Sequence, residues 1–454
     1  MTVPILRRLP SLPALLLLAL TGATVTTSAE AQSPVTYEGV ASCAGSTCHG
    51  RAEGNGKEVR QDEIATWQEA SSPSGAHSRA FAVLDSPRGR QIAATLGIGA
   101  PTSARECLGC HATPTAGSRG PKFQVSDGVG CEACHGPASP WIASHYAMSG
   151  THAANVAAGM TPLDQPQARA RVCLDCHFGS AANGQFVTHR LMAAGHPRIS
   201  FELDLFSALE QHWDVDGDYV ARKGQPSSVR LWAVGQAEAL RRSVDLFARP
   251  DRGTWGIFPE LYFFDCHSCH RTITDGPERK LTFETNPGRP IPFSMPPYND
   301  ENMIMLSAAA RVLAPAQAAS FDAASRDFHR AMGQGRESAV VAARKLGASA
   351  ASLSDALARG QFGSDDAFRV VAAIADKTTQ PRFTDYEGSA QGVMAIDTLL
   401  NALVREGRVT VGAAAGIRAD VNRAYAAVRS PQAYDPPQFR SALASAAHSI
   451  GALR

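Results

Sequence analysis

Five cysteine pairs, each followed at once by a histidine, constrain this chain more than anything else in it. Cys107/Cys110/His111, Cys131/Cys134/His135, Cys173/Cys176/His177 and Cys266/Cys269/His270 are Cys-x-x-Cys-His, and Cys43/Cys48/His49 is a version lengthened by two residues. Cys-x-x-Cys-His is the attachment signature of a c-type haem: the thiols add across two porphyrin vinyl groups, and the histidine is held under the ring as an axial ligand to iron. The five sites use all 10 cysteines. A redox disulfide or a zinc knuckle accounts for one Cys-x-x-Cys, but neither calls for a histidine after every pair with no cysteine left over. The expected cofactors are five covalently bound c-type haems.

Residues 1–31 read as an export signal: Arg7 and Arg8 form the charged start, Leu12 to Leu20 an apolar run, and Ala29-Glu30-Ala31 a small-x-small cleavage site, with cleavage after Ala31. The apolar run falls short of the roughly 20 residues a spanning helix needs, and no later segment reaches that length, so the mature chain is expected to have no membrane span. Export places the mature chain in the periplasm. A formal net charge of +1 without a basic run argues against nucleic acid. Haem propionates add carboxylates that this count omits, so the loaded protein should be more acidic and should suit redox partners of the periplasm or membrane with basic docking patches.

Up to about residue 300, loops rich in Gly, Pro, Ser and Thr separate the motifs, and clean helical periodicity is scarce. Short helices ending at the motifs, long loops and very little sheet are expected, with the apolar porphyrin discs supplying the core. Beyond the Pro-rich connector 286–297 the chain has no Cys and much Ala. Ile396, Leu399, Leu400, Leu403 and Val404 form one helical stripe, and further helices are predicted near 302–314, 320–332, 335–347, 366–376, 412–428 and 437–449. The expected fold is mainly α: a multihaem cytochrome c domain at 32–300, with short helices and long loops around five haems, then an α-helical bundle at 301–454. That bundle suits a packing cap, a docking surface or a homodimer contact.

Of 14 histidines, the five in the motifs are the proximal ligands His49, His111, His135, His177 and His270. The sixth ligand decides the chemistry, because a second imidazole gives a low-spin iron suited to electron transfer and an open position lets a small molecule bind. The candidate distal ligands are His77, His145, His189, His196 and His212. His152 competes with His145, His267 inside the fifth motif would struggle to reach its own iron, and His329 and His448 read as surface residues. Met148, Met160 and Met192 offer thioethers, a residue type more often used for packing.

Several of these segments occur together in a known family. Trp67 followed by His77-Ser78-Arg79-Ala80, then Glu106 to His111, Gly128 to Pro137 and Ser144-His145-Tyr146-Ala147-Met148-Ser149-Gly150, is similar to multihaem cytochromes of the cytochrome c-554 type. That family is the tetrahaem electron carrier paired with hydroxylamine oxidoreductase in ammonia-oxidising bacteria, and the likeness covers residues 40 to about 178. It implies His77 and His145 as axial ligands and an open sixth position at the haem of Cys107, Cys110 and His111. This chain departs from the pattern in its lengthened first motif, its fifth haem site at Cys266 and its haem-free C-terminal region. The block Gly195 to Glu202, with Phe264 to His270, looks like a larger set of exported multihaem cytochromes.

The leading expectation is a carrier of single electrons between redox partners through mostly bis-histidine haems. The alternative is a multihaem oxidoreductase of small nitrogen or sulfur compounds acting at one five-coordinate haem. Ammonia-forming nitrite reductases typically carry Cys-x-x-Cys-Lys at the catalytic haem, and that motif does not occur here.

Overall fold

Where a cysteine and the one three places on lie on a helix they share a face, and three of the five motifs take that form. The helices Arg105–His111, Cys131–His135 and Pro166–His177 each end on the motif histidine, whereas the first and fifth motifs lie in turns. The computed structural model describes Met1 and residues 35–53, 60–253, 259–271, 289–291, 295–380, 383 and 385–454. The export signal expected at 1–31 and its cleavage site lie outside the described residues apart from Met1.

Val35–Arg454 form one unit that is mainly helical. Among the described residues the only strands are Thr36–Tyr37 and Ser118–Arg119, paired in parallel with Thr36 opposite Ser118. No helix among them is long and apolar enough to cross a membrane. Around the first four motifs the side-chain core is thin. One cluster gathers Ala138, Trp141 and Met160; another gathers Ala170, Leu174, Phe178, Phe201, Leu203 and Ala239. Met160 is therefore packing, while Met148 is fully exposed.

The large core lies further along the chain. It runs from Val229 to Ile450 and is built by long helices: Ser228–Ala248, Glu301–Leu313, Pro315–Met332, Arg336–Arg359, Ser364–Thr378, Tyr386–Arg405, Val411–Ala427 and Pro436–Gly451. Several of their starts are capped by side chains. Thr410 accepts from the Ala413 amide at 3.2 Å, and Asp435 accepts from that of Gln438 at 3.0 Å ahead of a proline at the first helical position. Two features differ from the sequence expectation. The helix predicted at 335–347 continues to Arg359, and Ser228–Ala248, within the stretch read as loops, is a 21-residue helix. Val229, Trp232, Ala233, Leu240, Val244 and Phe247 are buried along it, and it packs against Arg336–Arg359.

His329, expected at the surface, is instead only 1% exposed. The helix Pro315–Met332 turns Phe321, Phe328 and Met332 into the core and carries His329 with them. There its Nε2 lies 3.1 Å from Asp300, which also pairs with Arg289; Arg289 in turn reaches Asp385 at 2.8 Å. A buried imidazole is tolerated because these charges surround it. His448 is exposed.

Candidate haem sites

The third motif shows how the chain fixes these segments. Glu132, between its two cysteines, is buried and accepts from the backbone amides of Glu38 at 2.9 Å, Gly39 at 2.7 Å and Ala138 at 2.7 Å. A Cβ on Gly130 would stand 2.7 Å from Val40 Cγ2, so the residue before the motif must be small. In the fourth motif, Leu174 is 1% exposed and faces the small cluster with Ala170, while Cys173, Cys176 and His177 are turned towards a cavity. That cavity, about 1020 Å³, is shared with the second motif: Cys107, Cys110, His111, Cys173, Cys176 and His177 line it together with His77 and His196.

Each motif histidine faces one non-motif histidine. The ring centroids are 6.0 Å apart for His49 and His145, 6.4 Å for His77 and His177, and 6.2 Å for His111 and His196. For His135 and His212 the separation is 6.4 Å, and for His189 and His270 it is 6.1 Å. Two metal–imidazole bonds of about 2.0 Å, plus about 1.1 Å from each nitrogen to its ring centre, give roughly 6.2 Å for two rings on one metal. The spacing fits an iron between each pair. The interplanar angles run from 12° for His49 and His145 to 89° for His111 and His196.

All five non-motif histidines singled out from the sequence stand in these pairs, in an order unrelated to position along the chain. His77, which follows the first motif, faces the fourth; His145, which follows the third, faces the first. Opposite His111, where the resemblance implies an open position, the turn at Gly195 places the ring of His196. His152 is exposed and pairs with Asp164 at 3.3 Å, and His267 is buried with Nδ1 donating to the Pro431 carbonyl at 2.7 Å. Neither faces a motif histidine among the described contacts.

The outer nitrogens of several paired rings have acceptors. Nδ1 donates to Glu63 at 3.0 Å from His49, to the Ala80 carbonyl at 2.7 Å from His111, and to the Pro197 carbonyl at 2.8 Å from His196. His77 donates to the Glu210 carboxylate at 2.9 Å, and His212 to the Glu210 carbonyl at 3.0 Å. A proton held on Nδ1 leaves Nε2 as the free ligand atom. Burial pushes His135 down to about 4, helped by His212, and pushes His177 down to about 4, helped by His77. Both imidazoles are neutral at pH 7, the form that binds a metal. These acceptors were not read from the sequence; Glu210, two residues before His212, is the one with a local signal.

The motifs adjoin one another: Cys110 Sγ lies 4.0 Å from the Cys176 carbonyl, and Cys176 Sγ lies 3.9 Å from that of Gly109. Burial raises the Cys134 thiol, with Cys173 the next contributor. His189 and His196 sit at either end of one short segment, on the helix His189–Ala193 and just past it.

Residues 42–136 match the family model for cytochrome c554 and c-prime. The match spans the first three motifs with His77 and supports a c-type cytochrome with covalently bound haem. No curated protein and no solved structure matches the chain.

Proposed function

We propose that this chain is an exported pentahaem c-type cytochrome that passes single electrons between redox partners of the periplasm or membrane, with every iron held between two histidines. The observation that carries the reading is the set of five facing histidine pairs at 6.0–6.4 Å. When bound, haem iron supplies reversible one-electron exchange, and two imidazoles keep its coordination nearly unchanged between oxidation states. The chain's own part is to hold both rings. Each proximal histidine is fixed by its motif, and each distal one by the helix or turn that carries it. With an imidazole opposite every motif histidine, no side is left for a substrate, which favours the carrier over the enzyme. Residues 32–300 are the haem-bearing part in this reading and 301–454 the haem-free helical part.

Neighbouring and shared segments order the sites. The first adjoins the third where Glu132 holds the Glu38 and Gly39 amides, the third the fourth where the helices Cys131–His135 and Pro166–His177 pack together, and the fourth the second where Cys110 Sγ lies 4.0 Å from the Cys176 carbonyl. The second adjoins the fifth through the segment that bears His189 and His196. This gives a chain of sites with the first and fifth motifs at its ends, where Cys48 and Cys269 are exposed.

The test is a low-temperature electron paramagnetic resonance spectrum of the purified ferric protein, normalised to haem determined by mass and by pyridine haemochrome. Five haems per chain, all low-spin, are expected. One high-spin haem in five would put the oxidoreductase in place of the carrier.

A further inference from the structure

Glu210 is the one residue in the described structure whose atoms reach the distal histidines of two different sites. It closes the helix Leu203–Leu209, and the carbonyl left free at that end accepts from His212 Nδ1 at 3.0 Å. Its carboxylate accepts from His77 Nδ1 at 2.9 Å. His212 faces His135 of the third motif and His77 faces His177 of the fourth. One residue therefore touches the distal ligands of two different sites.

We infer that Glu210 is a positioning residue that orients the distal ligands of the third and fourth haem sites together and sets the fourth at a lower potential than the third. This rests on the two-histidine reading above. The asymmetry comes from the kind of acceptor. A carbonyl offers His212 a neutral partner, whereas the carboxylate draws the His77 proton towards a negative charge, makes that imidazole a stronger donor and favours ferric iron. The opposite ligand does not offset this, because His177 Nδ1 is buried with no acceptor. Among the described residues the remaining carboxylate on a paired histidine, Glu63 on His49, acts by the same chemistry at the first site.

The test uses the holoprotein with Glu210→Gln and Glu210→Ala, followed by spectroelectrochemical titration and electron paramagnetic resonance. In Glu210→Gln the amide oxygen still accepts from His77 and the backbone carbonyl is unchanged. All haems stay low-spin, and one of the five midpoint potentials moves upward: that of the haem which turns high-spin in His77→Ala. Glu210→Ala moves the same potential upward and alters that haem's g-values. Glu63→Gln raises a different potential, that of the haem which turns high-spin in His145→Ala. A titration of Glu210→Gln and Glu210→Ala that superimposes on wild type, with Glu63→Gln shifted, overturns the inference. A high-spin haem in the wild-type protein overturns the two-histidine reading instead, before any variant is made.

Discussion

The helix Arg105–His111 has no buried residue at all, while Tyr386–Arg405 buries most of its length. The two belong to one folded unit and represent two ways of making a core. Around the first four motifs the helices are 4 to 12 residues long, below the length at which a helix holds itself in water, and their side-chain clusters are small. From Ser228 onward, helices of up to 24 residues close a continuous apolar core. Helices that short, with so little side-chain burial, need an apolar partner that side chains do not provide. The cavity of about 1020 Å³ between the second and fourth motifs is where porphyrin would take that part.

The largest effect should come from taking that partner away. Replacing Cys131 and Cys134 with Ser removes the third attachment site, which sits under the N-terminal strand through Glu132 and holds the His77 segment through the Val129 amide, 3.0 Å from the His77 carbonyl. Amide-exchange protection should be lost across residues 36–43, 75–80 and 128–145, while the Arg336–Arg359 and Tyr386–Arg405 helices keep theirs. Equal loss in both regions would mean that the two cores are one. A smaller effect is expected from Phe328→Ala. Phe328 is fully buried edge-on to Phe247 and Tyr298, and deleting such a ring costs about 3–5 kcal/mol. Denaturant unfolding should report that loss with the haem absorbance bands of the folded protein unchanged.

What the sequence discloses follows the same division. Cysteine spacing is covalent chemistry, so the motifs are legible one by one, and a chain read as holding five irons makes its spare histidines conspicuous. Which histidine meets which is not legible, because His77 and His177 are brought together by packing and not by spacing. In the second region the helical stripe at Ile396 to Val404 was readable, but Ser228–Ala248 hid between two motifs in a stretch dominated by loops. His329 looked like a surface residue because the groups that make its burial tolerable, Asp300, Arg289 and Asp385, are distant or on other elements. Polar partners that act across the fold leave little trace in a linear pattern. Glu63, and the bond of the Glu210 carboxylate to His77, were missed for that reason.

The fifth motif is where the two kinds of core meet, and its acidic seam gives the smallest and sharpest test. Asp265, Asp385 and Glu387 are all buried with carboxylate oxygens within 4.8 Å of one another. One Glu387 oxygen accepts from the Cys266 amide at 3.0 Å, and the other has no donor. Burial and then Asp265 push Glu387 well above the usual carboxylate range, against the pull of Arg198 3.9 Å away. The folded chain therefore keeps this proton over a range in which the unfolded chain has lost it. The stabilisation is complete below the unfolded value of about 4.3 and falls as pH rises towards the folded value, by at most about 1.4 kcal/mol per pH unit. Glu387→Gln copies the protonated form: its oxygen accepts from Cys266 and its amide donates towards Asp265. Melting temperatures measured from about pH 4 to about pH 9 should agree at the acid end and favour the variant increasingly towards the alkaline end. A difference between the two proteins that stays constant with pH would mean that Glu387 is ionised in the fold, and that the fifth site is bordered by uncompensated charge and not by a shared proton.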